Sequence, residues 1–94
     1  MSPVLPLRDV SRPPVALITG ITGQDGGYLA DWLLQHGYVV HGMARDLSRL
    51  SRERFAHFAD INHRLVLHTC DLTVGEQVDR LLKDVMPDEI YNLA

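Results

Sequence analysis

The sequence predicts an α/β fold, the N-terminal part of a doubly wound parallel sheet of about four strands, incomplete within this chain. Three observations predict it. Short apolar runs alternate with amphipathic stretches in the order strand, helix, strand, short helix, strand, helix, strand, which favours parallel strands, right-handed crossovers and helices on both faces. Three glycines, Gly20, Gly23 and Gly26, sit where the first apolar run passes into the first helix. The size, 94 residues of which 46% are hydrophobic and 22% charged, allows one hydrophobic core and no second domain.

Residues 1–14 carry Pro3, Pro6, Pro13 and Pro14 among Arg8, Asp9 and Arg12. They lack the continuous apolar stretch of a signal peptide and read as a flexible leader before a folded portion over residues 15–94. Val15 to Thr19 is almost wholly apolar, as expected of a strand buried on both faces. Tyr28, Leu29, Trp32 and Leu33 then recur at helical spacing, and Gly37 stands where a left-handed C-terminal cap would stop the helix. Trp32 on that stripe reads as helix packing in preference to a base-stacking platform.

Tyr38 to Met43 suits a second strand ending near Ala44, and the polar stretch Arg45 to Arg54 interrupts the pattern. Ser51 to Phe58 reads as a short helix with Phe55 and Phe58 on one face. Arg64 to Cys70 is the third strand, stopped by Asp71. Val74, Val78, Leu81, Leu82 and Val85 form the apolar stripe of an amphipathic helix that Pro87 terminates. Glu89 to Ala94 begins a fourth strand, and a complete doubly wound sheet has about six, so the chain reads as truncated.

The formal net charge of -3 gives no long-range attraction to nucleic acid or to an anionic membrane. No apolar run approaches the ~20 residues that span a bilayer. Cys70 is the only cysteine, which excludes an internal disulfide and fits a cytoplasmic location. His36, His41, His57, His63 and His68 are scattered without metal-ligand spacing, and no metal site is expected.

The loop Gly20-Ile21-Thr22-Gly23-Gln24-Asp25-Gly26 carries the clearest chemistry. Gly20 permits a sharp turn, Gly23 lets the backbone approach a pyrophosphate, and Gly26 lets the helix pack closely on the strand. Unpaired N–H groups and the positive end of the helix dipole then stabilise the diphosphate. The sheet is therefore expected to be a Rossmann fold binding a dinucleotide.

The run Ala16-Leu17-Ile18-Thr19-Gly20-Ile21-Thr22-Gly23-Gln24-Asp25-Gly26-Gly27-Tyr28-Leu29-Ala30, then Gly37-Tyr38 and His41-Gly42, resembles the start of the GDP-mannose 4,6-dehydratase family within the short-chain dehydrogenase/reductase proteins. Cys70-Asp71-Leu72-Thr73 and Pro87-Asp88-Glu89-Ile90-Tyr91-Asn92-Leu93-Ala94 resemble two later motifs. Gln24-Asp25-Gly26 is the most discriminating part. For Gln24 and Asp25, local hydrogen bonding at the helix start stands beside contact with cofactor or substrate.

Arg45 follows the second strand, where an acid bonds the ribose 2'-hydroxyl in NAD proteins and an arginine instead pairs with the 2'-phosphate of NADP. NADP is expected there, with NAD the lesser alternative and a merely solvated Arg45 the third. Asp46 departs from the family pattern, because an acid beside Arg45 repels the phosphate or neutralises its partner; Arg49 can compensate. By resemblance Asp71 and Leu72 border the adenine, while Asp71 also suits a helix N-cap. By resemblance Asn92, Leu93 and Ala94 line the ribose and nicotinamide side, and Leu93 equally suits a core position.

The resemblance implies conversion of GDP-D-mannose to GDP-4-dehydro-6-deoxy-D-mannose by internal hydride transfer and loss of water, in an enzyme that is a homo-oligomer when complete. It also implies a Tyr-x-x-x-Lys pair, in which lysine lowers the tyrosine pKa. Tyr28 is followed four residues on by Trp32 and Tyr38 by Gly42, and Lys83 is the only lysine. No catalytic residue is nominated, and the 94-residue chain by itself is expected to be inactive. Another NAD(P)-dependent nucleotide-sugar epimerase or dehydratase, or a truncated non-catalytic nucleotide-binding module, is the alternative.

Overall fold

A computed structural model describes residues 11–49 and 64–94. The helix expected over Ser51 to Phe58, with His57 and His63, lies outside the described residues. The elements are β1 (Val15–Thr19), α1 (Gln24–Gln35), β2 (Val39–Ala44), a single 3-10 turn (Leu47–Arg49), β3 (Leu65–Thr69), α2 (Gly75–Val85) and β4 (Glu89–Asn92). The four strands form one sheet in the order β3-β2-β1-β4, every pair parallel. The strand order thus diverges from β1 in both directions, and the carboxyl ends share one edge, where open α/β sheets bind ligands.

The period of two along β1 divides the core. Ala16 and Ile18 face α1 together with Ala30, Leu33, Leu34 and Val40, whereas Leu17 faces α2 with Met43, Leu81 and Val85. Both faces of β1 are covered, which accounts for its unbroken apolar run.

The face that α1 buries differs from the expected stripe. Gly26, Gly27, Ala30, Leu33 and Leu34 are buried, while Tyr28 and Trp32 are 64% and 54% exposed. The small residues bring the helix axis close to the sheet and leave no room for bulky rings on that side. Trp32 instead stacks on His36, one helical turn along, with ring centroids 4.0 Å apart.

The helix stops follow the expected chemistry. Gly37 is left-handed at φ +84°. Its N–H donates to the Leu34 carbonyl, and the Tyr38 N–H reaches back to the Leu33 carbonyl. This Schellman pairing occupies the Tyr38 amide, so β2 starts one residue later than expected and runs on through Ala44. The Arg64 guanidinium donates to the Leu34 carbonyl as well, at 2.9 Å. At the other helix, Met86 takes the left-handed region (φ 49°) immediately before Pro87.

Residues 11–14, the end of the expected leader, are described, and Arg12 makes a bidentate pair with Asp88 at 2.9 and 3.0 Å. Asp88 Oδ2 also accepts from the Val15 N–H at 2.8 Å. One carboxylate thereby joins the start of β1 to the chain entering β4.

Candidate cofactor-binding site

The site grows from the turn after β1. Gly20 has φ +73°, and a Cβ there would stand 2.8 Å from the Ala94 nitrogen and 2.9 Å from the Leu93 carbonyl carbon. Glycine is required on both counts. A Cβ on Gly26 would meet the Gly20 carbonyl oxygen at 2.8 Å and the Ile21 Cα at 2.9 Å. Gly26 is therefore the point at which α1 rests on the loop.

Gly23 is different. A Cβ there would find only the Gly20 carbonyl oxygen, at 3.6 Å, and the backbone is extended at φ -76°. Neither the backbone conformation nor a close protein neighbour of that Cβ demands glycine at this position.

Ile21 takes a packing role. Its side chain is fully buried and lies where a Cβ on Gly42 would intrude, 2.6 Å from Ile21 Cγ1. The N–H groups of Gly20 and Ile21 both donate to the Met43 carbonyl, at 2.9 and 3.2 Å. The loop is thus seated on β2 by residues whose amides are already engaged. Beyond it, the Gly23 N-cap makes no side-chain capping bond. Among the described residues, no protein acceptor pairs with the N–H groups of Thr22, Asp25 and Gly26.

With glycine at the N-cap, leaving out a side-chain cap forgoes only about a few tenths of a kcal/mol. Each buried Ile or Leu contributes roughly 1.5–3 kcal/mol, so Ile18, Ile21, Leu33 and Leu34 hold the turn in place despite the uncapped helix. The unpaired donors lie at the positive end of a 12-residue helix, an arrangement whose charge favours an anion.

The loop opens into a cleft of about 420 Å³ at the carboxyl edge, whose lining includes Gly20, Thr22, Arg45, Asp46, Asp71 and Ala94. Arg45 and Asp46 are exposed, and the Ser48 N–H donates to Asp46 Oδ1 at 2.9 Å. The Arg49 side chain lies outside the described residues.

Asp71 serves the turn before α2. Its Oδ1 accepts from the Thr73 N–H at 2.9 Å and the Thr73 hydroxyl at 2.7 Å, while Val74 takes the N-cap position. These bonds from Thr73, with Arg45 across the cleft adding a smaller attraction, hold the Asp71 carboxyl below its ordinary pKa. Leu72 is 43% exposed at the cleft, and Leu93 is 43% exposed as well.

The Leu93 N–H donates to both the carbonyl and the hydroxyl of Thr19, each at 3.1 Å, and the Thr19 hydroxyl donates to Asn92 Oδ1 at 2.6 Å. This buried threonine locks the ends of β1 and β4 together beneath the cleft. Gln24 and Asp25 are exposed outside it; Gln24 Nε2 is 3.4 Å from the Tyr28 hydroxyl, a local contact at helical spacing.

Tyr91 offers no base. Its hydroxyl donates to Glu89 at 2.6 Å, and that bond, with burial, pushes its pKa up to about 12. Among the described residues, no group of three or more His, Cys, Asp or Glu side chains could hold a metal.

One pair of residues carries no signal in the local sequence. His41 on β2 and His68 on β3 meet with Nδ1 and Nε2 2.8 Å apart and rings nearly parallel. Burial, then for His41 the neighbouring imidazole, lowers both pKa values; Asp84 on α2 opposes the shift at His68. The unfolded chain therefore binds more protons below pH 6.5. The pair's contribution to stability is full above that value and is lost as pH falls through the depressed folded-state values. Unfolding midpoints in urea measured across pH 5–8 are expected to decline as pH falls below about 6.5, and His68→Asn is expected to flatten that part of the profile.

Comparison with known proteins agrees with this geometry. Residues 17–94 match the family model described as GDP-mannose 4,6 dehydratase. The chain is 50% identical over 83 residues to the GDP-mannose 4,6-dehydratase of Yersinia enterocolitica, covering 84% of this chain and 22% of that protein. It is 48% identical over 85 residues to the Homo sapiens GDP-mannose 4,6 dehydratase, covering 85% and 23%. The chain thus spans less than a quarter of the length of these relatives.

Among solved structures, a Bordetella bronchiseptica enzyme in complex with NAD+ superposes with a TM-score of 0.70 at 26% identity, covering 88% of this chain and 26% of that one. An actinorhodin polyketide ketoreductase with NADPH superposes at 0.75, also at 26% identity, covering 87% and 33%. With the glycine loop, the strand order and a family match over all but the first 16 residues, the chain belongs to the GDP-mannose 4,6-dehydratase family.

Proposed function

We propose that this chain is the cofactor-holding segment of a GDP-mannose 4,6-dehydratase, and that it binds NADP(H) in the cleft above Gly20, Gly23 and Gly26. One observation carries the reading: Gly20 and Thr22 of the glycine loop line the same cleft as Arg45, and the uncapped start of α1, with the N–H groups of Asp25 and Gly26 unpaired, follows directly from that loop. The diphosphate lies at the start of α1, where Gly23 leaves its backbone bare. The 2'-phosphate pairs with Arg45, and Asp71 and Leu72 border the adenine. Leu93 and Ala94 bound the opposite side, and Ile21 seats the loop from below.

When bound, the cofactor supplies the hydride exchange by which GDP-D-mannose becomes GDP-4-dehydro-6-deoxy-D-mannose. The described residues hold and orient it; none of them is assigned a proton-transfer step.

Titration with NADPH and NADH tests the reading. A charge-assisted bond contributes roughly 1.5–3 kcal/mol, and Arg45 is exposed, which puts its effect at the low end. Arg45→Ala is expected to weaken NADPH binding about tenfold and to leave NADH binding unchanged. If NADPH has no advantage for the substitution to remove, the phosphate role of Arg45 is wrong.

A further inference from the structure

Resting on the cofactor reading above, we infer that Asp46 makes this a dual-specificity site, in which its carboxylate accepts from the adenosine ribose hydroxyls of NAD(H) while Arg45 serves NADP(H). Asp46 lies 20 positions beyond Gly26 in the sequence (46 minus 26). An acid about 20 residues on from the glycine loop selects the ribose diol in dinucleotide-binding βαβ units; that spacing falls on the adjacent pair Arg45 and Asp46, and Asp46 is its acid.

The fold delivers the residue to the right end of the site. Thr19 pairs with Met43 in the β1–β2 register, and the Met43 carbonyl takes the N–H groups of Gly20 and Ile21. The glycine loop and the Arg45-Asp46 pair therefore leave adjacent strands at the same level, and both line the same cleft. The bond from the Ser48 N–H to Asp46 Oδ1 restrains the carboxylate, which reduces the freedom lost when a ligand binds. Asp71, the other acid at the cleft, follows β3 and stands one strand further from the loop.

A ribose 2'-hydroxyl donates to a carboxylate, whereas a 2'-phosphate is repelled by it and attracted by the neighbouring guanidinium. Two adjacent residues of opposite charge thus oppose each other in NADP binding, and one of them favours NAD. The expected advantage of NADPH over NADH is correspondingly narrow, within about tenfold.

The test is equilibrium titration of the full chain and its Asp46→Asn variant with NADPH and NADH separately. Asparagine keeps an oxygen for the Ser48 N–H, and circular dichroism verifies that the fold is retained. The expected result is NADH binding weakened about tenfold, with NADPH binding unchanged or tighter. Unchanged affinities for both dinucleotides would overturn the role of Asp46 and leave the cofactor reading standing. Failure of the unsubstituted chain to bind either dinucleotide would overturn the cofactor reading and this inference with it.

Discussion

Gly26→Ala is expected to destabilise the chain by about 1 kcal/mol. The added methyl would lie 2.8 Å from the Gly20 carbonyl oxygen and 2.9 Å from the Ile21 Cα, both backbone atoms with no rotamer to turn away. Overpacking of this kind costs about 1–3 kcal/mol and occasionally more. Alanine recovers about 1 kcal/mol of helix propensity over glycine, so the two effects oppose each other. Packing prevails because relief requires α1 to move off β1, which loosens Ala30, Leu33 and Leu34 together. The urea unfolding midpoint measures the loss, and an unchanged or higher midpoint would show that the contact at Gly26 can relax freely.

Gly23→Ala is expected to behave in the opposite manner, with a small effect on stability and a large one on binding. The backbone at Gly23 suits any residue, and the nearest protein atom to the new methyl is 3.6 Å away. Glycine is the better N-cap, so the stability loss is confined to about 1 kcal/mol or less. The methyl would occupy space through which the diphosphate reaches the helix amides, and NADPH affinity is expected to fall at least about tenfold. Calorimetric titration beside an unfolding curve separates the two effects. Equal losses of folding and binding would make Gly23 a structural turn residue.

Much of the fold was legible because the core of β1 is local in sequence: a five-residue apolar run that ends at glycine suits a strand covered on both faces and little else. Gly37 and Pro87 marked helix ends for reasons of backbone geometry that hold in any context. The glycine loop was equally legible, although periodicity could not separate the conformational need at Gly20 from the open space at Gly23.

What sequence reading missed depends on neighbours distant along the chain. Tyr28 and Trp32 looked like the packing stripe, whereas the small residues Gly26, Gly27 and Ala30 set how closely α1 approaches the sheet. His41 and His68 stand 27 positions apart and meet only because β2 and β3 pair in parallel. The Arg12–Asp88 pair and the Thr19–Asn92 bond likewise join segments far apart along the described chain. Nothing in the local sequence near Thr19 marks it as the lock between β1 and β4; the signal was its position at the end of a buried strand.

The central claim is that the diphosphate of a dinucleotide rests on the uncapped start of α1. The most direct measurement is an amide nuclear magnetic resonance titration of the chain with NADPH. Saturable shifts are expected, largest at the N–H groups of Thr22, Asp25 and Gly26, with smaller ones at Arg45 and Asp71. Absence of saturable shifts, or shifts confined to residues remote from the cleft such as His41 and His68, would contradict the claim.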